Sequence, residues 1–385
     1  MKKEINNRHD GLRTWIEIDK KSIKHNIDLF RKLIDKKVEL MSVVKSNAYG
    51  HGLFDFSLVA DKFGVDWFGV DSLIEGLALR REGIKKPILV LGYTLPERIA
   101  EAVTNDISLT ISSMDSLQSI LSVLVGGRTS DILKIHLKID TGMHRQGFLG
   151  AEFPKVCKIV KDANKKGEKV IVEGMYTHFA AAKNPSFPQE TNKQIELFEQ
   201  AIKIVRGAGF KPLVHASATA GTLLFPNAHY DMVRIGIGLY GMWPSKETMR
   251  ALESKILLKP VMSWKTIIGE VKNLPKGGGV GYDLTERLPS NSKIAICPIG
   301  YWHGFGRIFS SVGNVLVHGQ RAKVLGRVSM DMITIDVSRI KNVKVGDEVV
   351  LIGEGITADE LAFISDGVNY EIVTRTNPLI KRIVV

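Results

Sequence analysis

The sequence predicts a (β/α)8 barrel of the TIM type followed by a separate, mainly β domain, and three observations carry that expectation. From residue 38 onward, short β-branched runs alternate with longer amphipathic ones, the pattern of βα units around a parallel sheet. Eight strand-like runs precede residue 245, which favours a closed barrel over an open doubly wound sheet. Past that point helical periodicity nearly vanishes, and Val/Ile-rich runs stand between clusters of Gly, Pro and Asn.

Taken in order, TWIEIDKKSIKHNI (14–27) reads as a strand leading into a helix, and the strand, within about 12–18, is expected to pair with the β domain rather than the barrel. The eight runs are VELMSVVK (38–45), WFGV (67–70), PILVLG (87–92), ISLTI (107–111), LKIHLKID (133–140), VIVEGMYTHF (170–179), LVHAS (213–217) and MVRIGIGLYG (232–241). Between them, Ser72–Glu82, Phe153–Lys166 and Glu190–Gly207 carry apolar residues at spacings of three and four, as helices do. SKIAICPIG, NVLVHGQRAKVLG, MITIDVS and DEVVLIG then supply the strands of the second domain. The expected division is 1–250 for the barrel and 251–385 for the β domain, with no sequence repeat and no low-complexity linker.

A chain of 385 residues with 44% apolar and 24% charged residues has ample material for a large core and no signature of disorder. The formal charge of +12 is spread over scattered lysines such as Lys20–Lys21, Lys85–Lys86 and Lys165–Lys166. That argues against a nucleic-acid face and leaves anionic small molecules as partners. No signal-peptide-like or long apolar stretch opens the sequence, and its two cysteines, Cys157 and Cys297, suggest no disulfide framework. The expected compartment is reducing cytoplasm, with no membrane partner and no metal site.

In such a barrel the chemistry lies at the carboxyl ends of the strands. Lys45 closes the first run, Arg145 follows the fifth in KIDTGMHRQG, and His178 stands near the end of the sixth. HASATAG follows the seventh, while Arg234 lies within the eighth with Gly236 and Gly238 just beyond. Small residues and hydroxyls after strand seven, facing glycines at strand eight, let backbone N–H groups approach a phosphate. A lysine across the ring from a phosphate cradle, with an arginine inside, suits pyridoxal phosphate, whose aldehyde forms a Schiff base with lysine and whose pyridine nitrogen takes an Asp or Arg partner. Taken singly, a strand-end lysine is an ion-pair lysine, a histidine a hydrogen-bonded core residue and the glycines turns. Their coincidence at one end of eight strands outweighs those separate readings.

VVKSNAYGHG, KIDTGMHRQG, MYTHF, MVRIGIGLYG, GVGYDLT, GRVSMDM and YEIVTR together resemble, in order and spacing, the motifs of bacterial alanine racemases, from about residue 12 to the end. The resemblance implies a pyridoxal 5'-phosphate enzyme that interconverts L- and D-alanine and supplies D-alanine for peptidoglycan. By it, Lys45 carries the cofactor and serves as acid and base on one face of the substrate, and Tyr282 does so on the other. The family places that tyrosine at the barrel mouth of the partner subunit, which implies a homodimer with shared active sites. His178 matches the histidine beside it, and Arg234 the arginine that keeps the pyridine nitrogen unprotonated. Arg145 matches the arginine near the cofactor O3' and the substrate carboxylate, and Lys138 the lysine that is carbamylated in many members. Tyr49, Thr219, Gly236, Ile237 and Tyr370 match phosphate ligands, Met330 and Asp331 the pair that approaches the substrate carboxylate, and Tyr301 with Tyr370 the tyrosines of the entry corridor.

The sequence departs from the pattern twice. Ala218–Thr219 replaces the usual Asn–Ser after strand seven, removing an amide contact, and Tyr301–Trp302–His303–Gly304 replaces the usual Tyr–Ala–Asp–Gly in the corridor. The second departure keeps open a racemase of broader specificity toward serine or other small amino acids. A decarboxylase of similar architecture lacks the GVGYDLT tyrosine, and a non-catalytic cofactor-binding barrel needs no β domain.

Overall fold

The computed structural model describes residues 11–125, 132–167 and 169–385. Strand β1 (Thr14–Ile18) leads into the helix Lys20–Leu33, and the next eight strands close a parallel barrel in sequence order. They are β2 (Glu39–Val43), β3 (Trp67–Val70), β4 (Ile88–Val90), β5 (Ile107–Ile111), β6 (Leu133–Lys138), β7 (Val170–Tyr176), β8 (Leu213–Ala218) and β9 (Met232–Ile235). The barrel closes where β2 pairs with β9, Met41 opposite Arg234. Every residue of β3 and β5 is buried, because both faces of a parallel strand are covered; β3 is apolar throughout, whereas β5 buries Ser108 and Thr110 between its apolar residues. Several runs expected to be strand to 45, 140, 179 and 241 leave the ladder earlier, at Val43, Lys138, Tyr176 and Ile235.

The helices follow the periodicity that predicts them. The helix Leu73–Arg81 starts at Ser72, whose hydroxyl accepts from the Glu75 N–H while the Glu75 carboxylate accepts from the Ser72 N–H, a reciprocal cap. The helix Pro188–Gly207 begins on a proline and buries Thr191, Gln194, Ile195, Phe198, Ala201, Ile202 and Val205, one stripe of a 3.6-residue period.

The barrel strands belong to one compact unit, Ile23–Ser46 with Ser57–Lys259, so this unit runs past residue 250. The second unit comprises the described residues up to Ser22 together with Asn47–Phe56 and Pro260–Val385. Its strands are β1, β10 (Met262–Ile267), β11 (Glu270–Leu274), β12 (Gly279–Val280), β13 (Glu286–Arg287), β14 (Ser292–Cys297), β15 (Asn314–Val317), β16 (Gln320–Leu325), β17 (Ile333–Asp336), β18 (Glu348–Ile352) and β19 (Lys381–Val384). Nine of them form one sheet, in the order β11-β14-β17-β16-β15-β18-β10-β1-β19, and β12 pairs with β13 in a separate hairpin. β1 lies antiparallel to β10 and parallel to β19, with Ile16 opposite Trp264 and Arg382. The edge strand β11 is largely exposed and carries Glu270 and Lys272, charges that discourage pairing with a further chain.

Two short helices, Ala358–Ile364 and Asn369–Thr374, interrupt the stretch that reads as strands alone. At seven and six residues they are too short for a 3.6-residue period to stand out. Cys157 and Cys297 are buried free thiols. Among the described residues, no helix is long and apolar enough to cross a membrane, and no cluster of three or more His, Cys, Asp or Glu is arranged to hold a metal ion.

Candidate active site

Lys45 lies two residues past the end of β2. The strand is tied at its end by the Tyr240 hydroxyl, which donates to the Val43 carbonyl at 2.8 Å, and by the Val44 N–H, which donates to Gly69 at 2.8 Å. The chain then makes a left-handed turn, with φ of 56°, 56°, 50° and 51° at Ser46, Asn47, Ala48 and Tyr49. None of these is glycine, and left-handed helical backbone costs about 1–2 kcal/mol per ordinary residue. Strain of this kind persists only where the surroundings over-determine it, and it clusters at functional positions. Here the Glu75 carboxylate accepts from the Ser46 N–H at 2.7 Å, and the Asn47 side chain accepts from the Leu53 N–H at 2.8 Å. In the following YGHG, Gly50 has φ of 80°, and a Cβ there would lie 1.9 Å from the Val373 carbonyl. The buried Arg382 guanidinium donates to the Gly50 carbonyl from Nε at 3.2 Å and from Nη2 at 2.8 Å. The Lys45 side chain is 38% exposed and its amine stands 3.8 Å from the Asp71 carboxylate, a loose pairing.

Arg234, 3% exposed on β9, is the centre of the barrel's polar interior. Nη1 donates to His215 Nδ1 at 2.8 Å, and Nη2 donates to the carbonyls of Thr177 and Ala216, both at 2.8 Å, and to His178 Nδ1 at 3.3 Å. No carboxylate is among these partners, and Nε makes no hydrogen bond among the described residues. The guanidinium lies over the Tyr176 ring, 5.0 Å from its centroid, and Tyr176 stacks on His215 at 4.8 Å and 9°. Burial alone pulls the guanidinium down to about 10, still cationic at neutral pH. Because Arg only donates, His178 Nδ1 must be an acceptor, so its Nε2 carries the proton.

Burial, reinforced by Arg234, Arg145, Lys138 and Lys45, lowers His178 to about 3. His215 is driven well below its ordinary value by burial, Arg234 and His136. Burial also lowers His136, against the opposing pull of Glu173. A depressed pKa in the fold means that on acidification the unfolded chain takes up protons before the barrel does. Each such histidine therefore removes stability as pH falls through the ordinary value of 6.5, and His178, lowered to about 3, removes roughly 1–2 kcal/mol between pH 7 and 5. Thermal midpoints should drop steeply over that interval while the His178 and His215 imidazole signals stay untitrated; equal stability at both pH values would contradict the arrangement.

Lys138, at the end of β6, is 6% exposed; its amine donates to the Gln146 side chain at 2.8 Å and lies 5.4 Å from the Tyr176 ring centroid. Burial, with Arg145, Arg234 and Lys45 nearby, lowers it to about 8. Arg145 is exposed. Across the ring, Thr219, Gly236 and Ile237 are buried, and the Thr219 hydroxyl accepts from the Gly238 N–H at 3.2 Å. Gly238 has no alternative, since a Cβ would lie 2.5 Å from the Phe30 ring and 2.8 Å from the Thr219 methyl. The structure thus brings Lys45, Lys138, Arg145, His178, Thr219, Arg234, Gly236 and Ile237 into the barrel unit.

The remaining candidates fall in the β unit. Tyr49 and Tyr370 stand with ring centroids 6.0 Å apart. Burial raises the Tyr49 phenol to about 12 and that of Tyr370 further. Tyr282 follows β12 and is 69% exposed, in a turn where Asp283 and Leu284 have φ of 59° and 49° and Asp283 pairs with Arg327 at 3.0 Å. Tyr301, Trp302 and Met330 form one exposed group, because the N–H groups of Tyr301 and Trp302 donate to Ser329 and Met330, both at 3.0 Å. Asp331 is exposed beside them. His303 Nδ1 accepts from the Gly300 N–H at 3.2 Å, and burial lowers its pKa against the pull of Asp331. Four positioning groups were not singled out from sequence: Glu75, Gln146, Tyr176 and His215. Tyr176 and His215 stand inside the quoted stretches GMYTHF and LVHAS, and their period-2 spacing with His178 and Ser217 was the available signal.

Family models for the alanine racemase N-terminal domain and C-terminal domain match residues 18–244 and 261–384. The chain belongs to the alanine racemase family. Its curated relatives, isomerases by that name, include the alanine racemase of Leptospira interrogans serogroup Icterohaemorrhagiae serovar Lai, 37% identical over 98% of this chain and 97% of that protein. The alanine racemase of Methanococcus maripaludis is 40% identical over 96% of this chain and 98% of that protein. Among solved structures, alanine racemase from Clostridium difficile 630 superposes with a TM-score of 0.90 at 33% identity, covering 97% of this chain and 96% of that one. Alanine racemase from Bacillus anthracis with bound L-Ala-P gives 0.89 at 34% identity, covering 97% and 95%.

Proposed function

We propose that this protein interconverts L- and D-alanine by a two-base mechanism, with pyridoxal 5'-phosphate held at Lys45, and supplies D-alanine for peptidoglycan in the cytoplasm. The observation that carries the reading is Arg234: a buried cation without a carboxylate partner, with four hydrogen bonds from its Nη atoms spent on orientation and its Nε–H unspent among the described residues. That donor fits an unprotonated pyridine nitrogen. The hydroxyl of Thr219 beside Gly238, in a wall that admits no Cβ, fits a phosphate.

When bound, the cofactor supplies an electron sink that acidifies the Cα–H of an attached amino acid. Inverting that centre requires proton removal from one face and delivery to the other. The Lys45 amine serves one face, and we assign the other to the Tyr282 phenol of a second subunit, since Tyr282 is exposed together with the apolar side chains Leu284, Trp302, Met330 and Met332 of the same unit. The neutral His178, with its proton on Nε2, is a donor suited to stabilise a phenolate. Arg145 is assigned to the substrate carboxylate, with Met330 and Asp331 contributed by the partner; Tyr49, Gly236, Ile237 and Tyr370 are assigned with Thr219 to the phosphate, and Tyr301 with Tyr370 to the entrance. The lowered pKa of Lys138 leaves part of its amine neutral near pH 8, the form that adds carbon dioxide to give a carbamate.

Substrate size follows from the corridor. Tyr301, Trp302 and Tyr370 are bulky, and a neutral His303 in place of the common acid removes attraction for basic side chains. Chiral chromatography of L-alanine, L-serine and L-lysine incubated with cofactor-loaded protein should give kcat/KM falling in that order. Absence of D-alanine would overturn the activity. Faster turnover of lysine than of alanine would favour the broader-specificity racemase, for which the Trp302–His303 departure is the motivating observation.

A further inference from the structure

Behind Arg234 runs a chain of buried polar groups that the proposed reaction does not use. His215 Nε2 lies 2.9 Å from His136 Nδ1, and His136 Nε2 lies 3.3 Å from the Glu173 carboxylate. Glu173 in turn accepts from the Ser108 hydroxyl and stands 3.8 Å from the Lys134 amine, which is anchored to Asp106 at 2.6 Å. The chain thus runs from the site toward the amino ends of β5 and β6, where Ser108 and Lys134 lie.

The placement of every proton follows from one end. A guanidinium only donates, so His215 Nδ1 must accept and its Nε2 must carry the proton. That proton is donated to His136 Nδ1, which leaves the His136 proton on Nε2, aimed at a carboxylate that only accepts. Cation and anion are connected by two neutral imidazoles whose hydrogen bonds all point the same way, an arrangement in which each bond polarises the next. Burial pushes the Glu173 carboxyl up, but hydrogen bonds from His136 and Ser108 outweigh it and keep the group anionic.

The backbone is shaped around this chain. The β6–β7 register shifts at Ile135/His136, so that Ile135 faces Val172 while His136 faces Gly174 and Glu173 is the extra residue. β8 shifts likewise between His215 and Ala218. Bulges of this kind re-aim side chains and are frequent beside active sites. Gly174 must lack a Cβ, which would lie 2.2 Å from His136 Nδ1, and the His136 ring is also held edge-on by Trp67 at 5.5 Å.

We propose that Glu173 and His136 are positioning residues for Arg234: acting through His215, they fix the tautomer of each imidazole and thereby hold the guanidinium with Nε–H presented to the cofactor ring. The proposal rests on the functional reading above for its last step, and on the barrel interior alone for the rest.

The test uses the full-length protein and long-range proton–nitrogen correlation spectra of its imidazoles, recorded without and with added pyridoxal phosphate and assigned by His136→Gln and His215→Gln. Both histidines should be neutral with the proton on Nε2. Glu173→Gln, whose amide can donate as well as accept, should introduce the second tautomer at His136 and then at His215. In the loaded variant the visible absorption band should shift and kcat should fall about 10-fold, the order seen when a carboxylate that orients a histidine is removed, with KM changed by less than about 2-fold. Where that variant fails to fold, Ser108→Ala weakens the carboxylate's hold and should give the same changes in smaller measure. A wild-type proton on Nδ1 of either histidine, or a folded Glu173→Gln with both signals and kcat unchanged, would overturn the proposal. Correct tautomers in a protein that makes no D-alanine would support the chain of hydrogen bonds and sink the racemase reading instead.

Discussion

Replacing Lys45 with alanine should leave a folded protein that retains no pyridoxal phosphate through dialysis and that racemises alanine below detection. The fold survives because the side chain is 38% exposed and its one ion pair among the described residues, with Asp71 at 3.8 Å, contributes little. Loss of the base alone accounts for roughly 10²–10⁴ in rate, and loss of the covalent anchor adds to it. Borohydride reduction of the loaded wild-type protein, followed by peptide mapping, should place the label on the peptide containing Lys45. A label on another lysine, or an alanine variant that keeps its cofactor and its rate, would remove Lys45 from the mechanism. The strained turn from Ser46 to Tyr49 gives the prediction a structural counterpart, since this turn sets the direction in which the chain leaves the lysine.

Tyr282→Phe should bind cofactor with an unaltered absorption spectrum and lose roughly 10²–10⁴ in turnover, the share of one positioned acid–base group. Removing a hydroxyl from a side chain that is 69% exposed should not disturb folding. If the phenol serves the partner's site, mixing the two inactive proteins, Lys45→Ala and Tyr282→Phe, and allowing subunits to exchange should restore activity. Half of the dimers would then be mixed, each with one intact site of two, so about a quarter of the wild-type rate is expected. Exchange without recovery would mean that each chain builds its site alone, and near-normal turnover by Tyr282→Phe would take the phenol out of the reaction.

Much of this molecule is legible in one dimension. All eight barrel strands coincide with runs that the sequence singles out, because a parallel strand covered on both faces is rich in apolar residues wherever its neighbours come from, even where Ser108, His136 and Glu173 interrupt them. The helix Leu73–Arg81 announces itself through Ser72 and Glu75, whose reciprocal cap is local. Lys45, His178 and Arg234 could be picked out because the barrel confines chemistry to the ends of its strands. The two short C-terminal helices could not, since their length is below the period that would reveal them.

Other features depend on register and could be decided only by folding. Glu173 and His136 are unremarkable in a strand sequence, and they meet because a bulge in β7 changes which residues face each other by one position. The left-handed turn after Lys45 is held in place by partners distant in sequence, Glu75 on Ser46 and Arg382 on Gly50, and no propensity of Ser, Asn, Ala and Tyr would suggest it. Apolar patterning records how much of a residue is buried, which is an average over many possible neighbours. Hydrogen-bond direction and backbone strain depend on one particular neighbour at one distance, and that information exists only once the strands have closed.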